Sequence, residues 1–198
     1  MTAEREAWLK RRKNLLTASD VAAVMGMNKH KRAEVVFNEK TGAVEPPDLS
    51  RIPAIQAGQY FEAGILQHFA DAHPEFTGGV LQNGPQEVIS PVLPWLAATP
   101  DGYARVETEN HPARRVAVVE AKWTSTDWRG KAPEHYWVQL QVQMHCTGLP
   151  VGWITAWTKT GWFEQEFQLD VAFEVRMLAE TAAFWDKVLT ARGFEEEL

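Results

Sequence analysis

The run Arg115-Val116-Ala117-Val118-Val119-Glu120-Ala121-Lys122 constrains the fold more than any other part of the chain. Side chains alternate along a strand, so Val116, Val118, Glu120 and Lys122 share one face while Ala117, Val119 and Ala121 share the other. Apolar residues on both faces mark a strand covered on two sides, which belongs in the middle of a sheet. One face of this strand nevertheless ends in a carboxylate and an ammonium. Unpaired charge is costly to bury. The strand therefore carries either a structural ion pair at a sheet edge or a chemical site at its end.

The surrounding pattern supplies partners for such a strand. An amphipathic helix is expected over Thr2–Lys13. A second, capped by Thr17 or Ser19, runs through Val21, Ala22, Val24 and Met25 to Gly26. A third covers about 32–41 and stops at Gly42. Three prolines make 45–53 a loop. Residues 54–72 form a long helix with Ile55, Gly58, Glu62, Ile65, Leu66 and Phe69 on one face. Short strands follow at 86–90, 95–98, 102–107 and 115–122, then a helix at 134–147 ending at Gly148. Val151–Thr158 and Trp162–Leu169 form a hairpin turning at Lys159-Thr160-Gly161. A final helix, 171–192, turns Val171, Val175, Leu178, Ala182, Trp185 and Leu189 inward. This order predicts an α/β fold with a mixed sheet covered by helices on both sides, built as one domain over residues 1–198.

With 198 residues, 45% of them hydrophobic, the chain can bury a core unaided. The single cysteine, Cys146, excludes an intrachain disulfide framework and a Cys-rich metal site. No apolar run reaches membrane-spanning length, and the N-terminus lacks the apolar core of a secretion signal, so neither a membrane nor secretion is expected. The net charge of −6 argues, taken alone, against nucleic acid. It conceals a split: residues 1–40 carry nine Lys/Arg against five Asp/Glu, whereas 41–198 carry eleven against twenty-one. A basic edge facing a polyanion and a solvated helix beside an acidic body both fit that asymmetry.

The chemistry concentrates on Thr99-Pro100-Asp101-Gly102 and Glu120-Ala121-Lys122, eighteen residues further on. Asp101 and Glu120 offer hard oxygen ligands suited to Mg²⁺. Lys122 can orient or deprotonate an attacking water and stabilise developing charge. Glu62 lies on the apolar stripe of its helix, where an acid needs a partner or a metal unless it sits at the stripe margin. Gln139, Gln141 and Gln143 alternate on the 134–147 helix. One of their amides can brace the lysine; otherwise they form a solvated face.

These segments, with Trp8-Leu9-Lys10-Arg11-Arg12 through Thr17-Ala18-Ser19, Ala57-Gly58-Gln59-Tyr60-Phe61-Glu62 and Gln139-Leu140-Gln141 with Met144, resemble the lambda exonuclease/YqaJ-type recombinase nucleases. That family is a branch of the PD-(D/E)xK superfamily. The motifs stand in family order across about 8–148. The resemblance implies a restriction-endonuclease-like core. It implies that Asp101 and Glu120 are metal-binding acids, Lys122 the motif lysine, and Glu62 a helix-borne acid helping to hold a second metal. Gln139 and Gln141 match the glutamine motif, with Gln141 favoured as the partner of Lys122. Arg12, Ser19 and Thr99 match 5′-phosphate positions. The implied activity is 5′-to-3′ degradation of one strand of linear double-stranded DNA with two Mg²⁺ per site, which Mn²⁺ can replace. The implied setting is phage or prophage recombination in the bacterial cytoplasm, with a homotrimeric ring and a single-strand annealing protein as partner. A PD-(D/E)xK endonuclease, a nuclease of other polarity, and a catalytically dead DNA-end-binding module are the rivals.

Other features are assigned more plainly. Lys10–Lys13 and Lys29–Arg32 are basic patches able to line a DNA path or to remain solvated. Trp95, Trp153, Trp157 and Trp185 fit the core, and Trp123, Trp128 and Trp137 gather near the catalytic strand. His135 is expected on exposed helix surface, and Cys146 as a packed thiol. The tail Glu195–Glu197 is expected to be solvated.

Overall fold

The computed structural model describes residues 7, 10–83 and 86–193. Residues 7 and 10–13 are helical; the remainder of the helix expected over Thr2–Lys13, including Trp8 and Leu9, lies outside the described residues, as does the acidic tail. Strand β1 (Leu16–Thr17) leads into helix α1 (Ala18–Val24), followed by α2 (Ala33–Thr41) and α3 (Pro53–Ala72). Then come β2 (Val80–Gln82), β3 (Val88–Ile89), β4 (Leu96–Ala98), β5 (Gly102–Thr108) and β6 (His111–Trp123). Helix α4 (Glu134–Thr147), β7 (Val151–Thr158), β8 (Gly161–Gln168) and α5 (Val171–Ala191) complete the order.

Local chemistry sets the boundaries. Thr17 is the N-cap of α1, and the Asp20 carboxylate accepts its hydroxyl at 2.9 Å and its backbone N–H at 3.4 Å. Helices α2 and α4 both end on a left-handed glycine, Gly42 with φ 84° and Gly148 with φ 69°. Pro53 opens α3, where its missing N–H has no helical partner to lose.

The main sheet has the order β2-β5-β6-β7-β8. Strands β6 and β7 run parallel and their neighbours antiparallel, so the sheet is mixed and β6 is central, as its two apolar faces require. Ile65, Leu66 and Phe69 of α3 pack on Ala117, Val119 and Ala121 on one face. Leu140 and Met144 of α4 pack with Val118, Ile154 and Ala156 on the other. Gly152 lets α4 approach: a Cβ there would stand 2.8 Å from Leu140 Cδ1 and 3.0 Å from Met144 Sδ. The expected restriction-endonuclease-like arrangement, a mixed sheet flanked by helices on both sides, is therefore the one observed.

A small sheet of order β1-β4-β3 lies beside α1, α4 and α5 and shares a second core containing Leu16, Val21, Leu96, Val142, Met177 and Trp185. Strands β1 and β2 were not anticipated, because two or three residues carry no readable periodicity. The inner face of α5 also differs from expectation. Phe173, Met177, Thr181, Trp185 and Val188 are buried, whereas Val171 and Val175 are each 65% exposed. Asp170 caps the helix by accepting the Phe173 N–H at 2.9 Å, and the Phe173 ring meets Trp137 at 4.6 Å. These contacts fix the rotation of the helix and turn the two valines outward. Among the described residues no helix is long and apolar enough to cross a membrane.

Candidate active site

The carboxyl end of β6 delivers Glu120 and Lys122 to the face covered by α4. Glu120 is fully buried. Its Oε1 is ion-paired with Lys122 Nζ, which also lies 3.8 Å from Asp101 Oδ2 and 5.3 Å from the Tyr136 ring centre. Asp101 sits just before β5 and is held by the adjoining strand, its Oδ2 accepting the Ala121 N–H at 2.9 Å. Three groups legible in the sequence are thus brought together: Asp101, Glu120 and Lys122.

Helix α4 adds two amides. Gln139 donates to Glu120 Oε1 at 2.5 Å and Gln143 to Glu120 Oε2 at 2.6 Å. Gln143 also donates to the Thr99 carbonyl at 3.4 Å, while its own Oε1 is buried without a hydrogen-bond partner among the described residues. The expectation that Gln141 braces Lys122 is corrected. Its amide donates to the Gln168 carbonyl at 3.0 Å and accepts the Asp170 N–H at 2.8 Å, tying α4 to the start of α5. Helical periodicity explains the difference and was available in the sequence: residues four apart share a face, and a residue midway between them points elsewhere. Gln139 and Gln143 form the pair at Glu120, which adds Gln143 to the site beyond the glutamines of the family motif.

Burial raises the Glu120 pKa and the charge of Asp101 adds to the rise, against the pull of Lys122 and the Gln143 amide. Burial alone would depress the Lys122 ammonium, but Glu120 and Asp101 outweigh it and its pKa ends raised. Glu62 is half-buried on α3 and accepts from Gln82 at 3.2 Å. Its pKa is raised by burial and by Asp101, which places it in the field of the acid pair without a direct bond to it. Among the described residues no three His, Cys, Asp or Glu side chains gather closely enough to hold a metal ion by themselves. Asp101 and Glu120 nonetheless present hard oxygen donors beside each other, and Asp101 acts on both Glu120 and Glu62 as a repelling charge. That donor chemistry fits a divalent cation of the Mg²⁺ type.

The phosphate candidates form a second cluster at the start of α1. Arg12 donates to Thr17 Oγ1 at 3.2 Å, and Thr17 Oγ1 lies 3.1 Å from the exposed Ser19 hydroxyl. Beneath them Asp20 is buried, with Lys40 at 2.8 Å, Lys31 at 3.1 Å and Arg12 at 3.7 Å. Burial would raise the Asp20 pKa, but Lys40, Lys31 and Arg12 together hold it well below the usual carboxylate range. Thr99 is exposed and stands at the active site through its carbonyl. Lys31 also binds Glu39 at 2.6 Å, so part of the N-terminal positive charge is neutralised internally. A groove of about 850 Å³ adjoins this cluster, lined by Lys10, Arg12, Lys13, His30, Lys31 and Lys40 together with Val44, Pro46 and Leu49.

His135 is half-buried, not on open surface. It meets His30 edge-on at 5.6 Å, and burial together with the charges of His30, Lys29 and Lys122 lowers its pKa to about 4. Trp128 is core, packed against Phe163 at 5.1 Å. Away from the site, Ser90 Oγ lies 2.7 Å from His145 Nε2, and His145 Nδ1 lies 2.7 Å from Glu174 Oε1. This has the order of a nucleophile relay. The Ser90 hydroxyl, however, is buried and accepts the N–H groups of Val92 and Leu93, so the arrangement pins a turn to α4 and α5.

The sequence model of the YqaJ-like viral recombinase domain matches residues 7–150. The chain belongs to the YqaJ-like viral recombinase family. The expected family holds, and with it the expected class of enzyme, a nuclease. Solved structures similar to this YqaJ-like chain include an alkaline exonuclease (LHK-Exo) from Laribacter hongkongensis, at 20% identity and TM-score 0.72, covering 96% of this chain and 95% of that one. The same enzyme in complex with dAMP aligns at 19% identity and TM-score 0.72 over the same shares of both chains. A phage-related exonuclease from Haemophilus somnus 129PT aligns at 11% identity and TM-score 0.53, covering 91% of this chain and 92% of that one. At these identities the likeness is one of fold. Among proteins of curated function none matches.

Proposed function

We propose that this YqaJ-like chain is a divalent-metal-dependent exonuclease that degrades one strand of linear double-stranded DNA from the 5′ end during phage-type recombination. The observation that carries the reading is the buried Glu120 carboxylate, set between Lys122, Asp101 and two glutamine amides at the end of the central strand. A buried acid in this company supports a catalytic reading. Asp101 and Glu120 would hold a first Mg²⁺, with Glu62 serving a second and Mn²⁺ able to substitute. Bound there, the metal would supply Lewis-acid stabilisation of phosphate charge and an acidified water.

The chain's own groups do the positioning. Gln139 and Gln143 orient Glu120 by occupying one lone pair on each oxygen. The Asp101 carboxylate is fixed by the Ala121 N–H. Lys122 offers a cation to the negative charge that develops on the phosphate, an interaction strengthened where water is excluded. Arg12, Ser19 and Thr99 would receive the terminal 5′-phosphate and so set polarity. A homotrimeric ring in the host cytoplasm and a single-strand annealing protein complete the reading.

The test compares 5′-phosphorylated linear duplex with closed circles, in Mg²⁺ and in chelator. Digestion of linear DNA alone, abolished by chelator, is expected. Metal-free digestion would refute the mechanism, and cleavage of closed circles would make the enzyme an endonuclease. Lys122→Ala is expected to abolish cleavage and to leave duplex binding in place.

A further inference from the structure

Trp123, Trp157 and Trp162 are register partners across three strands: Trp123 pairs with Trp157 between β6 and β7, and Trp157 with Trp162 between β7 and β8. Register partners share a face of the sheet. Three indoles therefore cross from the central strand to the edge strand, over two strand spacings or about 10 Å. Helix α3 continues the row. Phe61 stacks on Trp123 at 5.8 Å and meets Trp157 edge-on at 5.9 Å, while His68 stacks on Trp162 at 3.6 Å. The sequence places Trp157 in the core; in the structure it is 46% exposed, with Trp162 at 44%, Phe61 at 41% and the adjacent Tyr60 at 83%. Contiguous exposed aromatic surface of this kind marks an interaction site.

Two features select the occupant. The row adjoins the active-site end of the central strand: Trp123 follows Lys122 on the opposite face of the sheet, and Phe61 stands on α3 next to Glu62, which lies in the field of Asp101 and Lys122. The far end is bordered by exposed cations. The turn Lys159-Thr160 is tied to the 124–131 loop by Thr160 Oγ1 to Asp127 at 3.2 Å, and Lys159 of that turn and Arg129 of that loop are exposed. Of the acids nearby, Asp127 accepts from the Arg129 N–H and from Thr160, and Glu164 is paired with His73 at 3.1 Å. The complement of flat rings followed by cations is a chain of flat rings on an anionic backbone. We infer that this aromatic row is a stacking platform for the unpaired bases of single-stranded DNA beside the active site. The inference rests on the DNA-nuclease reading. Stacking tolerates any sequence, because every base has a π-face.

The test measures binding by the full chain, in chelator and at fixed salt, to duplexes with a single-stranded tail. One tail carries bases and the other is an abasic tail of equal length and charge. The based tail is expected to bind about tenfold more tightly, a factor in keeping with loss of base–aromatic stacking. The double substitution Trp157→Ala and Trp162→Ala is expected to erase the difference, and Trp162→Phe to retain it. Equal binding of both tails by the unmodified chain overturns the platform without recourse to any variant. A double variant that keeps the preference but sediments as a smaller species also overturns it, and makes the row an interface between copies. Mg²⁺-dependent digestion of linear duplex, measured on the same preparation, separates the two readings. Its absence refutes the nuclease assignment, whereas digestion together with equal tail binding refutes the platform alone.

Discussion

Replacing Asp20 by Asn tests the charge network beneath Arg12, Thr17 and Ser19. The change keeps the shape of the side chain and removes its charge, leaving Lys40, 3% exposed and 2.8 Å away, without a counter-ion. Breaking one partner of a buried pair costs about 3–5 kcal/mol. For a chain of this length each kcal/mol lowers Tm by roughly 2–4 °C, so a fall of roughly 10 °C is expected. The pH dependence has a definite sign. Asp20 has a folded pKa below its unfolded value. Its contribution is therefore complete above an unfolded pKa near 3.9 and is lost as pH falls toward the folded value. Urea unfolding of the unmodified chain and of Asp20→Asn should show a wide gap at pH 7 that narrows in acid. Adding Lys40→Met to Asp20→Asn should recover most of the loss, because an apolar replacement of both partners removes the stranded charge. A gap under about 1 kcal/mol at neutral pH, or a double variant no better than the single one, would refute the argument.

The other predictions concern α4 and its surroundings. Gln143→Leu strips a donor from the buried Glu120 and should lower kcat by about 10-fold or more as well as costing about 1–3 kcal/mol, while Gln141→Leu should lower Tm and spare kcat; steady-state kinetics beside thermal melts decide between them. Gly152→Ala puts a Cβ 2.8 Å from Leu140 and should cost about 1–3 kcal/mol in urea unfolding; an unaltered midpoint would show that α4 rides freely on the sheet. Ser90→Ala leaves His145 Nε2 with no partner in a buried setting and should cost about 1–3 kcal/mol while leaving nuclease activity intact.

What the sequence made legible follows from the reach of each signal. Strand β6 announced its central position because both faces are apolar over a long run, and helices α2 and α4 announced their ends through Gly42 and Gly148. Asp101, Glu120 and Lys122 were readable because a strand's alternation and a turn place them without knowledge of the rest of the fold. Gln143 was readable from helical spacing, because it stands one turn after Gln139 and Gln141 falls between them. The outward turn of Val171 and Val175 was not readable, since the rotation of α5 is fixed by the Asp170 cap and the Phe173–Trp137 contact. The exposure of Trp157 was equally hidden, because a tryptophan in a strand carries no mark of whether a helix covers it.

The parallel pairing of β6 and β7 has a consequence for how the site comes to exist. Parallel neighbours need a crossover, and here the crossover is α4, the element that carries the glutamines. The contacts that shape Glu120 consequently join residues only 19 and 23 positions apart, and the bond from Ala121 to Asp101 spans 20. Contacts of shorter sequence separation cost less loop-closure entropy. Asp101, Glu120, Lys122 and the two glutamines thus fall within residues 101–143, while Glu62 approaches from α3. Arg192, by contrast, reaches back 152 positions to the Lys40 carbonyl, so joining the end of α5 to the N-terminal cluster carries the larger loop-closure cost.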